Sequence, residues 1–250
     1  MNRACIVRAH GAGLFSNINK VLVALRLYEH CFVDWSKAGE NDPAFKYGGS
    51  FYGDAWHDLF YDDTTRPPEP YDVVHQYPFY DITGACAGIM YQNPEWGWRE
   101  AYHKAWARLR CVVEPIPVGP GTIGILIRSD ALGGEQLYGK SQTLEDYHAA
   151  IVKAKEASPG AGLFVVSSDK ESIDWLYNRH QIFYSYGIKR NTSRSDPEQH
   201  LTVPQTKFDA IDVMREVLAL ARCETLIHPI SNMATAALII NPHLKSVYLK

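Results

Sequence analysis

The sequence predicts an α/β protein built as two halves, each with its own parallel sheet. Predicted strands and helices alternate along the chain, which is typical of parallel strands joined by crossover helices. Three prolines and two glycines fall within residues 115–121, and such a segment favours an extended linker because proline restricts the backbone and glycine loosens it. We therefore predict an N-terminal domain over residues 1–116 and a C-terminal domain over residues 121–250.

Composition narrows the class of protein. The 250 residues include 25 basic and 28 acidic side chains, for a formal net charge of -3, whereas nucleic-acid binders usually carry a basic excess. The five cysteines are scattered without a C-x-x-C pair, which fits reduced thiols better than a disulfide framework or a zinc site. We expect no signal peptide and no transmembrane segment, since no run reaches about 20 apolar residues. The sequence thus predicts a cytoplasmic protein without a nucleic-acid partner.

The N-terminal half begins with a short apolar strand that runs into the turn Gly11-Ala-Gly13. Apolar residues then recur at helical spacing, which predicts an amphipathic helix. A long segment rich in aromatic residues, prolines and glycines follows and predicts loops. The predicted elements are a strand at 4–9, a helix at about 16–29, a strand at 31–35, the loop-rich segment at 36–94 and a helix at 96–110.

The C-terminal half alternates more regularly. Thr143 followed by Asp146 three residues later predicts a capping box at the start of a helix. The predicted elements are strands at 122–128, 163–167, 181–185 and 225–228, helices at 143–157, 170–180, 208–222 and 231–240, and a polar loop at 187–206. This order predicts a doubly wound sheet, whose ligands bind beyond the carboxyl ends of the strands.

Three of these strands end in residues that suit a phosphorylated ligand. They are Arg128 after the first strand, Ser168 and Asp169 after the second, and Ser231 and Asn232 before the last helix. An arginine can bind a phosphate through two parallel hydrogen bonds, and a helix start offers N–H groups to an anion. Because the carboxyl ends of parallel strands share one edge of the sheet, we expect these residues to form one site.

Each of these residues also has an ordinary structural interpretation. Asp169 and Ser231 are residue types that cap the next helix, and Arg128 could pair with Asp130 on the surface. Gly11-x-Gly13 is a partial dinucleotide-binding pattern, but Ser16 stands where that pattern has its third glycine. No histidine pair has metal-ligand spacing and no G-x-S-x-G elbow is present.

Four segments follow the order of motifs in a known superfamily. Ile123 to Arg128 aligns with the pattern I-G-x-H-x-R except at the histidine, and Val166 to Asp169 resembles a strand that ends in T-D-D. Glu216 to Asn232 resembles an acidic helix, a strand and a pair of small polar residues, and Gly11 to Asn17 takes the place of the turn G-x-x-G-N-Q. On these residues the chain resembles the GT-B-like fucosyltransferases, which include α-1,6-fucosyltransferases, the nodulation-factor fucosyltransferase and protein O-fucosyltransferases.

The chain departs from that pattern at three positions. Leu126 stands where the family has a histidine, Ser129 where the α-1,6 enzymes have a second arginine, and Ile18 where the turn has glutamine. These departures weigh against assigning an α-1,6 linkage.

The resemblance implies a GT-B-like fold of two Rossmann-like halves, with the donor site in the C-terminal half. It implies inverting transfer of fucose from GDP-fucose to a glycan acceptor, in polysaccharide biosynthesis. Arg128 and Glu135 would be catalytic, with Glu135 deprotonating the acceptor hydroxyl, although a loop glutamate is more often a solvated charge. The donor-binding residues it implies are Gly11, Gly13, Asn17, Arg128, Ser168, Asp169, Ser231 and Asn232. Since the sequence has no D-x-D pair, we expect no metal and no other cofactor.

Two segments keep alternative interpretations. Asp54, Trp56 and His57 lie in an aromatic and acidic stretch that suits an acceptor glycan, but the same composition suits an irregular core. The polar loop around Lys189 to Pro197 either closes over the donor or is a solvated excursion, and the second is the default. The alternative function for the whole chain is non-catalytic nucleotide or glycan binding on the same fold.

Overall fold

A computed structural model describes ten segments of the chain, and its contacts divide the chain into two compact units. The described residues are 3–8, 14–28, 30–34, 55–61, 73–76, 97–128, 142–188, 190, 207–229 and 231–249. The first unit consists of Met1–Val113 with Val203–Met214, and the second consists of Glu114–Thr202 with Arg215–Lys250.

The first unit contains a parallel sheet and a small antiparallel pair. Its elements are β1 (Arg3–Arg8), α1 (Leu14–Leu27), β2 (His30–Asp34), α2 (Ala55–Leu59), β3 (Phe60–Tyr61), β4 (Val73–Gln76), α3 (Gly97–Trp106) and β5 (Arg110–Cys111). The sheet has the order β2-β1-β4 with all pairs parallel, and β3 pairs antiparallel with β5. Helix α1 is buried on nearly all sides because it packs on β1, β2 and α3. Arg108 ties this packing together by donating to the Leu25 carbonyl at 2.6 Å.

The second unit is built on five parallel strands. Its elements are β6 (Ile123–Ile127), α4 (Leu144–Ala157), β7 (Leu163–Ser167), α5 (Lys170–Tyr177), β8 (Ile182–Phe183), the part of α6 (Lys207–Arg222) from Arg215, β9 (Thr225–His228), α7 (Asn232–Ile240) and β10 (Lys245–Tyr248). The sheet order is β10-β9-β6-β7-β8. The chain first builds outward from β6 to β8 and then returns to place β9 on the other side of β6. The strand order therefore reverses between β6 and β9, and a doubly wound sheet binds its ligand at such a reversal.

Both faces of β6 are covered, which explains its unbroken run of apolar residues. On one face, alternate residues of the central strands pack against α4 and α5 in a cluster that includes Ile123, Ile125, Ile127, Tyr147, Ile151, Leu163, Val165, Ile173, Leu176 and Ile227. On the other face, Gly124 admits the end of α6 closely. A Cβ added to Gly124 would lie 3.0 Å from both Cys223 Sγ and Leu220 Cδ2. Buried strands of this kind read as continuous hydrophobic segments.

Several predicted elements are confirmed and others are corrected. Helix α4 begins after Thr143, whose hydroxyl accepts from the Asp146 N–H while the Asp146 carboxylate accepts from the Thr143 N–H. Strand β7 covers the predicted residues, and so does β9. Helix α5 ends at Tyr177 rather than near residue 180, because the chain turns there to enter β8. Strand β10 was not predicted, and it is a four-residue edge strand with mostly exposed side chains. Helix α2 and strands β3 and β4 lie inside the segment predicted to be loops.

Candidate functional site

Arg128 and Ser231 meet at the point where the strand order of the second unit reverses. Arg128 directly follows β6, and Ser231 follows β9 by three residues. The Arg128 guanidinium donates from Nη1 to Ser231 Oγ at 3.4 Å. Ser231 is the N-cap of α7, and its hydroxyl also accepts from the Met233 N–H at 3.1 Å. The guanidinium thus lies beside the positive end of a nine-residue helix, which is an arrangement that attracts anions.

The end of β7 contributes one capping residue and one hydroxyl without a partner. Asp169 is fully buried, and its carboxylate accepts from the Ser172 N–H at 2.7 Å and from the Ser167 hydroxyl at 3.1 Å. One carboxylate oxygen therefore caps α5 and the other accepts from the last residue of β7, so the capping interpretation of Asp169 is confirmed. The Ser168 hydroxyl is buried and has no hydrogen-bond partner among the described residues. Of the two predicted residues, Ser168 is the one whose side-chain oxygen has no partner among the described residues, and its role in donor binding stays a prediction.

Both ring nitrogens of His228, at the end of β9, make contacts that hold the local structure. Its Nδ1 lies 2.9 Å from the Pro229 carbonyl oxygen, so Nδ1 carries a proton and donates. Its Nε2 lies 2.8 Å from the Ser246 hydroxyl, which joins β9 to β10 through their side chains. The ring therefore braces the strand end that leads to Ser231.

A buried ion pair between Arg190 and Glu216 was missed by the sequence analysis. The two side chains are 8% and 3% exposed, and Arg190 Nη2 lies 2.5 Å from Glu216 Oε1. Arg190 also donates to the backbone carbonyls of Ser167 and Ser185. The default interpretation of this segment as a solvated excursion is wrong for Arg190, because burial and three acceptors hold its guanidinium against the ends of β7 and β8.

Two tyrosines follow β8 on the segment that Arg190 holds. The rings of Tyr184 and Tyr186 lie 4.4 Å apart between centroids, with an angle of 36° between their planes. Burial raises the pKa of the Tyr184 hydroxyl, and a hydrogen bond to Tyr186 raises it further. Tyr184 packs against the core cluster, whereas Tyr186 is 77% exposed. The exposed Tyr186 ring therefore lies against the Tyr184 ring, which packs on the core cluster.

Asn232 is the first residue of α7, and its contact with the donor stays a prediction. The remaining predicted site residues fall into two groups. Gly11, Gly13, Asp54, Asp130 and Glu135, together with the side chain of His57, lie outside the described residues, so their proposed roles stay predictions. Asn17 and Trp56 are described and buried in the first unit. Asn17 lies on α1, and the Trp56 ring is 2% exposed and packs on Phe60 at 4.3 Å. Burial favours the core interpretation of Trp56, and its contact with an acceptor stays a prediction.

Comparison with known proteins shows that this chain resembles solved structures in its fold. No protein-family model matches the sequence, and neither does any curated protein. A crystal structure of NodZ α-1,6-fucosyltransferase co-crystallised with GDP matches 96% of this chain and 93% of its own, with 15% identity and a TM-score of 0.51. A structure of fucosyltransferase NodZ from Bradyrhizobium matches 96% and 94%, with 16% identity and a TM-score of 0.52. This chain has the fold of those enzymes. The GT-B-like α/β fold predicted from the sequence is therefore confirmed.

The described residues contain neither a candidate membrane-spanning helix nor a candidate group of metal ligands. No described helix has the length and apolar character needed to cross a membrane. Within the same residues, no three or more histidine, cysteine, aspartate or glutamate side chains are grouped so that they could hold a metal ion.

Proposed function

We propose that this chain is a glycosyltransferase that binds a nucleotide sugar at the carboxyl edge of the second unit's sheet. The observation that carries the proposal is the hydrogen bond between Arg128 and the capping hydroxyl of Ser231 at the strand-order reversal. The likeness to a fucosyltransferase structure that contains GDP supports the same ligand class. A guanidinium and a helix start together suit a diphosphate better than a single phosphate, because they offer several donors from two directions.

The proposed reaction is inverting transfer of fucose from GDP-fucose to a glycan hydroxyl. The acceptor oxygen forms a bond to the anomeric carbon while the bond from that carbon to the diphosphate oxygen breaks, and its electron pair leaves with GDP. Arg128 and the start of α7 stabilise the negative charge that grows on the leaving diphosphate. Glu135 takes the proton of the acceptor hydroxyl. With two sources of positive charge on the diphosphate and no D-x-D pair in the sequence, the proposed reaction uses no metal.

Nucleotide binding tests the donor site directly. Isothermal calorimetry with GDP, GDP-fucose, UDP and ADP should detect binding by the intact chain in the presence of EDTA. Arg128→Ala should weaken GDP binding roughly 10- to 150-fold, because a hydrogen bond to a charged group contributes about 1.5–3 kcal/mol. Arg179→Ala is the matched control, since Arg179 is an exposed arginine stacked on Trp175 just after α5, at the opposite edge of the sheet.

The outcomes separate catalysis from simple binding. Release of fucose from GDP-fucose, with or without added glycan, supports the transferase. Absence of binding of every nucleotide tested would overturn the proposal. GDP binding without any transfer or hydrolysis, unchanged in Glu135→Gln, would favour a non-catalytic nucleotide-binding protein.

A further inference from the structure

The carboxyl edge of the second unit offers one feature to each part of a nucleotide. Arg128 and the start of α7 lie at β6 and β9, the buried Ser168 hydroxyl lies at β7, and the exposed ring of Tyr186 follows β8. Strands β6, β7 and β8 are consecutive neighbours in the sheet. In a doubly wound sheet the diphosphate lies at the first strand and the ribose hydroxyls face the end of the second. A ligand placed in this way directs its base toward the third strand, here β8.

The positions of the tyrosines are fixed by contacts that reach the donor site. One guanidinium, that of Arg190, donates to the carbonyls of both Ser167 and Ser185. The residue after the first carbonyl is Ser168, and the residues on either side of the second are the two tyrosines. The aromatic pair is therefore held next to the end of β7. Neighbouring strands lie about 4.8 Å apart, so β6 and β8 are separated by roughly 10 Å, a distance that the ribose bridges between a diphosphate and a base.

We propose that Tyr186, supported from behind by Tyr184, is the surface on which the base of the donor nucleotide stacks. Exposure alone would not carry this inference, because single exposed aromatic residues are common on protein surfaces. Tyr186 differs in that its ring is backed by a second ring at 4.4 Å and follows β8, the strand that pairs with β7, after which Ser168 lies. Every base has a flat face, so an aromatic ring at this place binds it without reading its edge. The inference rests on the proposed function, since it assigns the base subsite of that donor site.

The experiment compares a nucleotide with the part of it that has no base. GDP and inorganic pyrophosphate are titrated calorimetrically into the wild-type chain and into Tyr186→Ala and Tyr186→Phe. Tyr186→Ala should weaken GDP binding about 5- to 150-fold, corresponding to about 1–3 kcal/mol for one stacked base, and should leave pyrophosphate binding unchanged. Tyr186→Phe keeps the ring and should bind GDP within about threefold of wild type. Tyr177→Ala is the control, because Tyr177 is an exposed tyrosine at the far end of α5.

A second measurement follows the stacking itself. Tyr186→Trp places an indole at the same position, and its fluorescence should be quenched by GDP and not by pyrophosphate. Equal GDP affinity in wild type and Tyr186→Ala would overturn the inference and leave the proposed function standing. Equal losses for GDP and pyrophosphate would also overturn it, since they would show damage to the diphosphate site. If the wild-type chain binds no nucleotide, the proposed function itself fails.

Discussion

Replacing Glu216 by glutamine should destabilise the second unit by several kilocalories per mole. The change keeps the shape of the side chain and removes its negative charge. Arg190 would then retain a full positive charge on a side chain that is 8% exposed. Among the described residues, its acceptors besides the new amide would be two backbone carbonyls. Breaking a buried ion pair from one side typically costs about 3–5 kcal/mol, because an uncompensated charge stays buried.

The expected loss of unfolding free energy within that range depends on which hydrogen-bond acceptors remain for the Arg190 guanidinium. The amide oxygen of glutamine can still accept one hydrogen bond, so we expect Glu216→Gln to cost about 3 kcal/mol. Glu216→Leu removes the side-chain acceptor altogether and leaves the two backbone carbonyls, so we expect a loss nearer 5 kcal/mol. The double variant Glu216→Leu/Arg190→Met removes both charges and should be more stable than Glu216→Leu alone.

Urea unfolding gives the global free energies, and hydrogen exchange measured by mass spectrometry gives the local ones. Peptides from β7 and β8 should exchange fastest in the single variants, because Arg190 bonds the ends of both strands. Asp174→Asn is the control: it breaks an ion pair with Lys170 whose side chains are 51% and 63% exposed, and it should cost at most about 1 kcal/mol. If Glu216→Gln and Glu216→Leu cost no more than this control, the reasoning is refuted.

Two further predictions concern packing and pH. Gly124→Ala should destabilise the chain by about 1–3 kcal/mol in urea unfolding, because its Cβ would lie 3.0 Å from two side chains at the end of α6. Gly162→Ala is the control and should cost less, because the nearest atom to its Cβ would be 3.6 Å away. Equal losses of stability in the two variants would contradict the packing argument. Burial, His148 at 2.9 Å, Lys155 and Arg179 lower the pKa of His180 below its ordinary value. The unfolded chain therefore binds more protons, and the free energy of unfolding should fall as pH drops below about 6.5. His180→Gln should show a smaller fall between pH 7.5 and pH 5.5, and an identical pH profile would contradict the assignment.

Sequence reasoning succeeds where a residue's role follows from its place along one element. Strands β6, β7 and β9 were predicted because strands buried on both faces need unbroken apolar segments. In a doubly wound sheet the parallel strands end at one edge, and the strand order reverses beside the first strand. Arg128 and Ser231 could therefore be expected to meet, although they are 103 residues apart in the sequence. The interpretation of Asp169 as a helix cap was equally local, since it required only the three residues that follow.

The Arg190–Glu216 pair could not be predicted in the same way. Nothing in a polar loop distinguishes the one arginine that folds inward from its charged neighbours. The other half of the pair did leave a signal: Glu216 lies three and four residues before Ala219 and Leu220, which are both buried on α6. A carboxylate on the buried stripe of a helix requires a partner, so the sequence predicts a buried charge there without naming the cation. Strand β10 was missed because a four-residue edge strand with mostly exposed side chains has no apolar pattern to detect.

Under the proposed function, the preference for one base over another depends on the groups that surround the stacking ring of Tyr186. Leu126 replaces the histidine of the family pattern, and it is a buried side chain that offers no hydrogen bond. Stacking on Tyr186 would hold any base, because it engages the flat face and not the edge. Discrimination would then depend on polar groups beside that ring, and the hydroxyl of Ser185 is buried without a partner among the described residues. If Ser185 contacts the base edge, Ser185→Ala should reduce the ratio of GDP to ADP affinity while Tyr186→Ala lowers both affinities together.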